Sequence, residues 1–178
     1  MPPEPETLPT LSTPRLVLRP SRLEDAPDVA RLADDPGVAR MTTSIPYPLP
    51  PGAAEAFLER MAKADLAREA LFALDTVDDE FIGLLGFHPN DDDAAEIGYW
   101  LGRPDWGRGY MTEAVIAAMA WAGGEWSRRF VVAGHFADNP TSGQVLIKAG
   151  FLYTGEVVRR FSLARGEAAP TRMMVWLA

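Results

Sequence analysis

From Arg15 to Pro20 the chain reads RLVLRP, with apolar and polar positions alternating at the period of a half-buried strand. SRLE, Ser21–Glu24, has the spacing of a capping box and predicts a helix opening there and running to about Leu32. IPYPLPPG, Ile45–Gly52, lacks too many backbone donors to be a helix or a central strand, so it predicts a loop between helices. In the following segment, Ala53–Glu69, Phe57, Met61 and Leu66 recur at near-helical spacing. LFALDT and FIGLLGFHP predict two strands turning at VDDE; DDDA makes the next turn and EIGYWLG a further strand. A helix is predicted from about Tyr110 to Ala122, stopping near Gly123–Gly124 as helices commonly do. RRFVVAGHF reads as a buried strand, and NPTSGQVLIKAGF supplies Asn as N-cap, Pro at the first helical position and Gly at the stop. The remainder, FLYTGEVVRRFSLARGEAAPTRMMVWLA, predicts closing strands, two of them paired around RGEA.

The order β-α-α-β-β-β-α-β-α-β-β predicts an α+β (mixed α/β) fold, a mixed sheet with antiparallel meander strands and helices on its faces. At 178 residues and 47% hydrophobic, the chain has material for one substantial core. The expectation is a flexible tail over 1–10 followed by a single domain over 11–178. No run approaches the roughly 20 apolar residues of a membrane span, and MPPEPETLPTLSTP lacks the regions of a signal peptide. A cytoplasmic protein with no membrane partner is therefore expected. The absence of cysteine excludes disulfides, thiolate metal sites and a cysteine nucleophile. His88 and His135 are far apart in sequence, and no metal is expected. A net charge of −8 argues against a nucleic-acid partner and mildly favours a cationic one.

Chemistry concentrates in EIGYWLGRPDWGRGYMTEAV, Glu96–Val115. A strand runs into a Gly-Arg-Gly loop, and the loop into a helix N-terminus. Unpaired backbone N–H groups and the positive end of the helix dipole converge there, and glycine admits a phosphate closely. A dinucleotide fingerprint is the competing reading, but Thr112 stands where its third glycine belongs, and that motif normally follows the first strand of a parallel sheet.

AEIGYWLGRPDWGRGYMTEA, followed about twenty-five residues later by NPTSGQVLIKAGF, resembles the GNAT family of N-acetyltransferases, most closely its RimJ/RimL-like branch. LSTPRLVLRP and SIPYPLPP fit the same branch, and the resemblance covers about Leu11 to Leu177. It implies a splayed mixed sheet flanked by helices on both faces, gripping acetyl-CoA between EIGYWLG and RRFVVAGHF. By resemblance, Trp106, Gly107, Arg108, Gly109, Tyr110 and Met111, with Thr112 after them, form the pyrophosphate loop, and Arg103 and Arg108 supply positive charge. Trp106 stands where Gln or Arg is common, and Met111 where a small residue is usual. A backbone N–H near Trp100 or Leu101 is implied as the donor to the thioester carbonyl oxygen.

The family's catalytic roles fall, again by resemblance, on three residues. Glu96 is the implied base, commonly acting through water; a solvated strand-end carboxylate is its bland alternative. Asn139 is implied to bind the coenzyme arm, although capping alone accounts for an Asn-Pro pair. Ser142 is implied near the departing sulfur, because Val145 and Leu146 leave no tyrosine a few residues into that helix. The implied reaction is direct acetyl transfer from acetyl-CoA to a primary amine, best guessed as the N-terminal α-amine of a protein or peptide. A small-molecule amine (amino acid, polyamine or aminoglycoside) and a non-catalytic acyl-CoA sensor are the alternatives. Met41–Gly52 and the RGEA hairpin are expected to wall the acceptor site, and a homodimer is an allowed assembly.

Overall fold

A computed structural model describes residues 7–178. Met1–Glu6, most of the expected tail, lie outside the described residues, and Leu8 already packs against the core. The strands are β1 (Leu11–Ser12), β2 (Leu16–Pro20), β3 (Ala70–Thr76), β4 (Phe81–Pro89), β5 (Ala95–Leu101), β6 (Phe130–Phe136), β7 (Leu152–Ser162) and β8 (Glu167–Leu177). Helices α1 (Ala26–Ala33), α2 (Pro36–Ala39) and α3 (Ala53–Ala62) lie between β2 and β3, α4 (Tyr110–Gly123) between β5 and β6, and α5 (Pro140–Lys148) between β6 and β7.

One sheet takes the order β1-β2-β3-β4-β5-β6-β8-β7. Every neighbouring pair is antiparallel except β5–β6, which runs parallel and is registered at a single pair, Glu96 with Val132. The expected mixed sheet is therefore present, with helices on both faces. α4 and Leu146 of α5 close one face over Leu16, Leu18, Phe72, Leu85 and Met174; α1 and α3 close the other over Leu71, Ala73 and Leu84. β3 is buried along its whole length because it is covered on both sides, which is why LFALDT reads as a run of apolar residues more than as an alternation. Trp121 and Trp126 stack at 5.1 Å, with Phe72 edge-on to Trp121 at 5.3 Å, so both tryptophans are core residues.

Two local expectations are corrected. The turn into α1 is capped one residue later than SRLE suggests: the Arg22 N–H donates to Asp25 at 2.9 Å, and Asp25 is buried against Arg19. A 3-10 segment, Leu23–Asp25, intervenes before α1. Helix α3 ends at Ala62 and not at Glu69. Beyond it Asp65 folds the chain into a turn, accepting from the Ala67 N–H at 3.0 Å. The Leu66 carbonyl then accepts from the Trp126 indole at 2.7 Å, a contact a continuing helix would forbid. Among the described residues, no helix is long and apolar enough to cross a membrane.

Candidate active site

The parallel junction sets the site. Beyond Glu96–Val132 no further pairing joins β5 to β6, so the strands part and leave a backbone edge open on each. The Gly102 N–H donates to Ile82 of β4 at 2.9 Å, and in a regular antiparallel ladder successive N–H groups alternate in direction. The N–H of Trp100 therefore points to β4, whereas those of Tyr99 and Leu101 point into the splay. Of the two expected backbone donors, Leu101 has the required direction. The Trp100 ring lies on the opposite face, edge-on to Phe81 at 6.5 Å.

At the open end of β5 the chain makes the expected loop. Gly107 and Gly109 have φ of +74° and +77°, left-handed values that strain any residue with a Cβ. Space around Gly107 is open: a Cβ placed there would meet nothing within 4 Å. Trp106 explains its own presence, because its indole N–H reaches back 2.9 Å to the Leu101 carbonyl and fastens the loop to the strand end. Met111 is buried in the core and turned away from the loop, so its bulk does not obstruct an approaching phosphate. Gly109 caps α4 without any side chain, leaving the first helical N–H groups, those of Tyr110, Met111 and Thr112, without intrahelical acceptors.

The two loop arginines differ. Arg108 is exposed, and among the described residues no side chain pairs with it. Arg103 is instead engaged by Asp35 at 2.7 and 2.8 Å and lies over the Trp106 ring at 4.9 Å, so it is a strut and not free charge. The same contact, aided by the Gly37 and Val38 N–H groups and opposed by burial, holds the Asp35 carboxyl down at about 2.

A latch that sequence reasoning missed secures the helix start. Arg15 donates to the Arg108 carbonyl at 2.8 Å, pairs with Glu113 at 2.7 Å and lies over the Tyr110 ring at 4.7 Å. Glu113 also accepts from Thr13 at 2.6 Å and from the Arg15 backbone N–H at 2.9 Å. Burial works to raise the Glu113 carboxyl, but these hydrogen bonds outweigh it and hold the group below its ordinary range. Glu113 is thus a fastening between the β1–β2 turn and α4 and not a solvated helix-face residue.

Across the splay stands α5. Asn139 is its N-cap, accepting from the Ser142 N–H at 3.4 Å. The Tyr99 hydroxyl, from β5, lies 2.8 Å from Ser142 Oγ and 3.2 Å from the Ser142 carbonyl. Burial pushes the Tyr99 phenol above its ordinary range, against the pull of the Ser142 hydrogen bond, so it stays protonated and able to donate. Beneath α5, His135 Nδ1 meets the Phe136 carbonyl at 2.8 Å and Nε2 meets the Tyr153 hydroxyl at 2.8 Å. A carbonyl only accepts, so Nδ1 carries a proton, and in the neutral imidazole Nε2 accepts from Tyr153. Gly143 makes this fit possible: a Cβ there would stand 2.7 Å from the tyrosine oxygen.

Glu96 is not the solvated strand-end carboxylate of the bland alternative. Its side chain is 6% exposed, and both oxygens are held by Arg160 of β7, one of them by Nη2 at 3.1 Å. Hydrogen bonding to Glu96 holds the Arg160 guanidinium above its ordinary range, burial opposing. A recess of about 350 Å³ is lined by Pro36, Arg40, Tyr47, Ala164, Arg165 and Glu167. Its walls are joined: Ser162 Oγ and the Leu163 N–H donate to the Thr42 and Thr43 carbonyls, each at 3.0 Å. Arg165 donates to the Arg40 carbonyl and pairs with Asp138, both at 2.7 Å, just ahead of α5. The segments expected to wall an acceptor site thus meet around one recess. Among the described residues, no group of three or more His, Cys, Asp or Glu side chains is arranged to hold a metal.

Residues 15–152 match the Acetyltransferase (GNAT) domain. The chain belongs to the GNAT acetyltransferase family. A relative described as "Uncharacterized N-acetyltransferase p20", from Bacillus licheniformis, is 36% identical over 112 residues, 60% of this chain and 61% of that protein. The ribosomal-protein-serine acetyltransferase of Escherichia coli is 37% identical over 81 residues, 44% of this chain and 45% of its own length. The chain thus spans under two thirds of these curated relatives. Among solved structures, that of RimL, described as a ribosomal L7/L12 α-N-protein acetyltransferase in complex with coenzyme A, superposes with a TM-score of 0.81. It covers 95% of this GNAT chain and 98% of its own, at 18% identity, which speaks to the fold. These matches fit the RimJ/RimL-like branch.

Proposed function

We propose that this GNAT domain is an acetyl-CoA-dependent N-acetyltransferase whose acceptor is the N-terminal α-amine of a protein or peptide. The observation that carries the reading is the one-pair β5–β6 junction, which opens directly onto the Gly107–Gly109 loop and faces Ser142 across the gap. The loop glycines, the first N–H groups of α4 and Arg108 suit a pyrophosphate, and the free strand edge suits an amide-rich arm. The kinship with a ribosomal-protein-serine acetyltransferase supports a protein α-amine.

The chemistry follows from the positions. The acceptor nitrogen attacks the thioester carbonyl carbon, a C–N bond forms, and the carbonyl electron pair moves onto oxygen. The Leu101 N–H is directed to receive that oxyanion, where a fixed donor helps most. Collapse breaks the C–S bond, the pair leaving with sulfur. The Ser142 hydroxyl, held by Tyr99, donates a hydrogen bond to the departing thiolate, which takes its proton from solvent, and Asn139 holds the helix start that carries Ser142. The nitrogen, strongly acidic once attached to the tetrahedral carbon, loses its proton toward Glu96 and solvent. No enzyme-bound acyl group is involved.

The test is release of coenzyme A over a panel of Ser- and Ala-starting peptides, amino-acid amides, lysine and spermidine, with products located by mass spectrometry. Acetyl on a peptide N-terminus is the expected result. Binding of acetyl-CoA without turnover on any amine would mean a sensor.

A further inference from the structure

The Glu96–Arg160 pair bears on which amines the site accepts. Arg160 reaches Glu96 by crossing β6 over Gly134, where an added Cβ would sit 3.6 Å from its Nη1 and within 3.1 Å of Thr171 and Met173. The close approaches at Gly134 are to Thr171 and Met173, whereas Arg160 would stay at ordinary contact distance. The contact is two-pronged and occupies both carboxylate oxygens, while the Arg160 side chain stays 30% exposed. Two further titratable groups face the pair: His88, directly opposite Glu96 on β4, is exposed, and Asp91, in the following turn, adds its charge to the field at Arg160. Thr171 and Met173 from β8 and Val132 from β6 complete the surroundings without charge.

Resting on the acetyltransferase reading above, we infer that Arg160 is a specificity residue that restricts this site to weakly basic amines. A carboxylate that is to strip a proton from an incoming ammonium must free an oxygen and become neutral. Here that would leave a partly buried guanidinium without its counter-charge, which is strongly unfavourable. The acceptor must therefore arrive already neutral. At pH 7 about one α-amine in ten is neutral, against about one lysine-type amine in two and a half thousand. That gap of more than two orders of magnitude is preserved by a site that does not help before attack. After attack the nitrogen is acidic enough for water beside the ion-paired Glu96 to take its proton. The atoms balance: one proton leaves nitrogen, one joins sulfur, and acetyl moves from sulfur to nitrogen. The pairing also removes the buried carboxylate that a polyamine would otherwise find at the junction.

The experiment compares kcat/KM for a Ser-starting peptide and for an N-terminally blocked lysine peptide between pH 6.5 and 9.5. Wild type, R160Q, R160K and the double variant E96Q/R160Q are used, each first checked for acetyl-CoA binding. In the wild type the α-amine is preferred by about 100-fold or more at pH 7, and the lysine rate climbs about tenfold per pH unit. R160Q frees Glu96 to act as a base, so the preference falls at least tenfold and the lysine limb moves to lower pH. The double variant returns to the wild-type preference, and R160K, with a single-point contact, lies between. Should R160Q not bind acetyl-CoA, R160K decides, with a loss of preference of about threefold or more expected. An unchanged preference and unchanged pH limb in the folded variants overturn the inference. A wild type that uses lysine as readily as an α-amine at pH 7 overturns it too, while leaving the acetyltransferase reading intact. Turnover of amino-acid amides but not peptides removes only the peptide acceptor, and no turnover on any amine removes both.

Discussion

Alanine at Gly107 and Gly109 separates backbone strain from ligand contact. Both residues have positive φ, and placing an L-residue there costs about 1–2 kcal/mol, offset in part by the lower entropy of the unfolded alanine chain. The surroundings add little: the Gly107 Cβ would face open space, and the Gly109 Cβ would meet only the end of Arg15, at 3.4 Å. A net loss of about 1 kcal/mol is expected at each, or about 2–4 °C in Tm for a domain of this size. Binding of acetyl-CoA should suffer more. Backbone donors to a charged oxygen are worth about 1.5–3 kcal/mol each, so displacing one weakens Kd about 10- to 150-fold. Gly155 is the control, with φ of +88°, open space for a Cβ and a position in the irregular stretch of β7. Thermal unfolding and calorimetric titration should show G155A sharing the stability loss while binding acetyl-CoA like the wild type. If G107A and G109A unfold at lower temperature yet bind acetyl-CoA unchanged, the loop does not hold the pyrophosphate.

Three further expectations bear on the site's supports. Y99F removes one 2.8 Å hydrogen bond from Ser142 and should lower kcat about 2- to 10-fold, whereas S142A should lower it about 10- to 100-fold, both with little change in acetyl-CoA Kd; equal effects on binding and kcat would instead make Ser142 a docking residue. G143A drives a methyl group to within 2.7 Å of Tyr153 and 2.8 Å of His135 Nε2 and should cost about 1–3 kcal/mol in urea unfolding; a change below about 0.5 kcal/mol would show that the His135–Tyr153 contact yields freely. The Asp35 carboxyl is lower in the folded chain, at about 2, than its ordinary 3.8, so its contribution is present above that ordinary value and is lost as pH falls toward 2. D35N should therefore flatten the acid limb of Tm between about pH 4 and 2, and an unaltered limb would contradict the assignment.

The strand–loop–helix heart of the site was legible because its requirements are local. Glycine at two positive-φ positions, an Asn-Pro helix start and an unbroken strand pattern are all written within a few residues of where they act. What stayed hidden involves partners distant in sequence. Arg160 reads as one of several charges in an exposed strand, and only the sheet order β5-β6-β8-β7 brings it to Glu96. Arg15 lies 98 residues before Glu113, and Tyr99 looks like a core strand residue until α5 is placed above it. The end of α3 failed for the same reason: local periodicity extends to Leu66, but the carbonyl needed by Trp126 decides where the helix stops.

Every step of the proposed chemistry requires the gap between β5 and β6 to be a coenzyme A site. Calorimetric titration of the purified protein with acetyl-CoA, and in parallel with NAD, tests it most directly. Saturable binding of one acetyl-CoA per chain with none for NAD is the predicted result, and binding of neither, or of both alike, would contradict it.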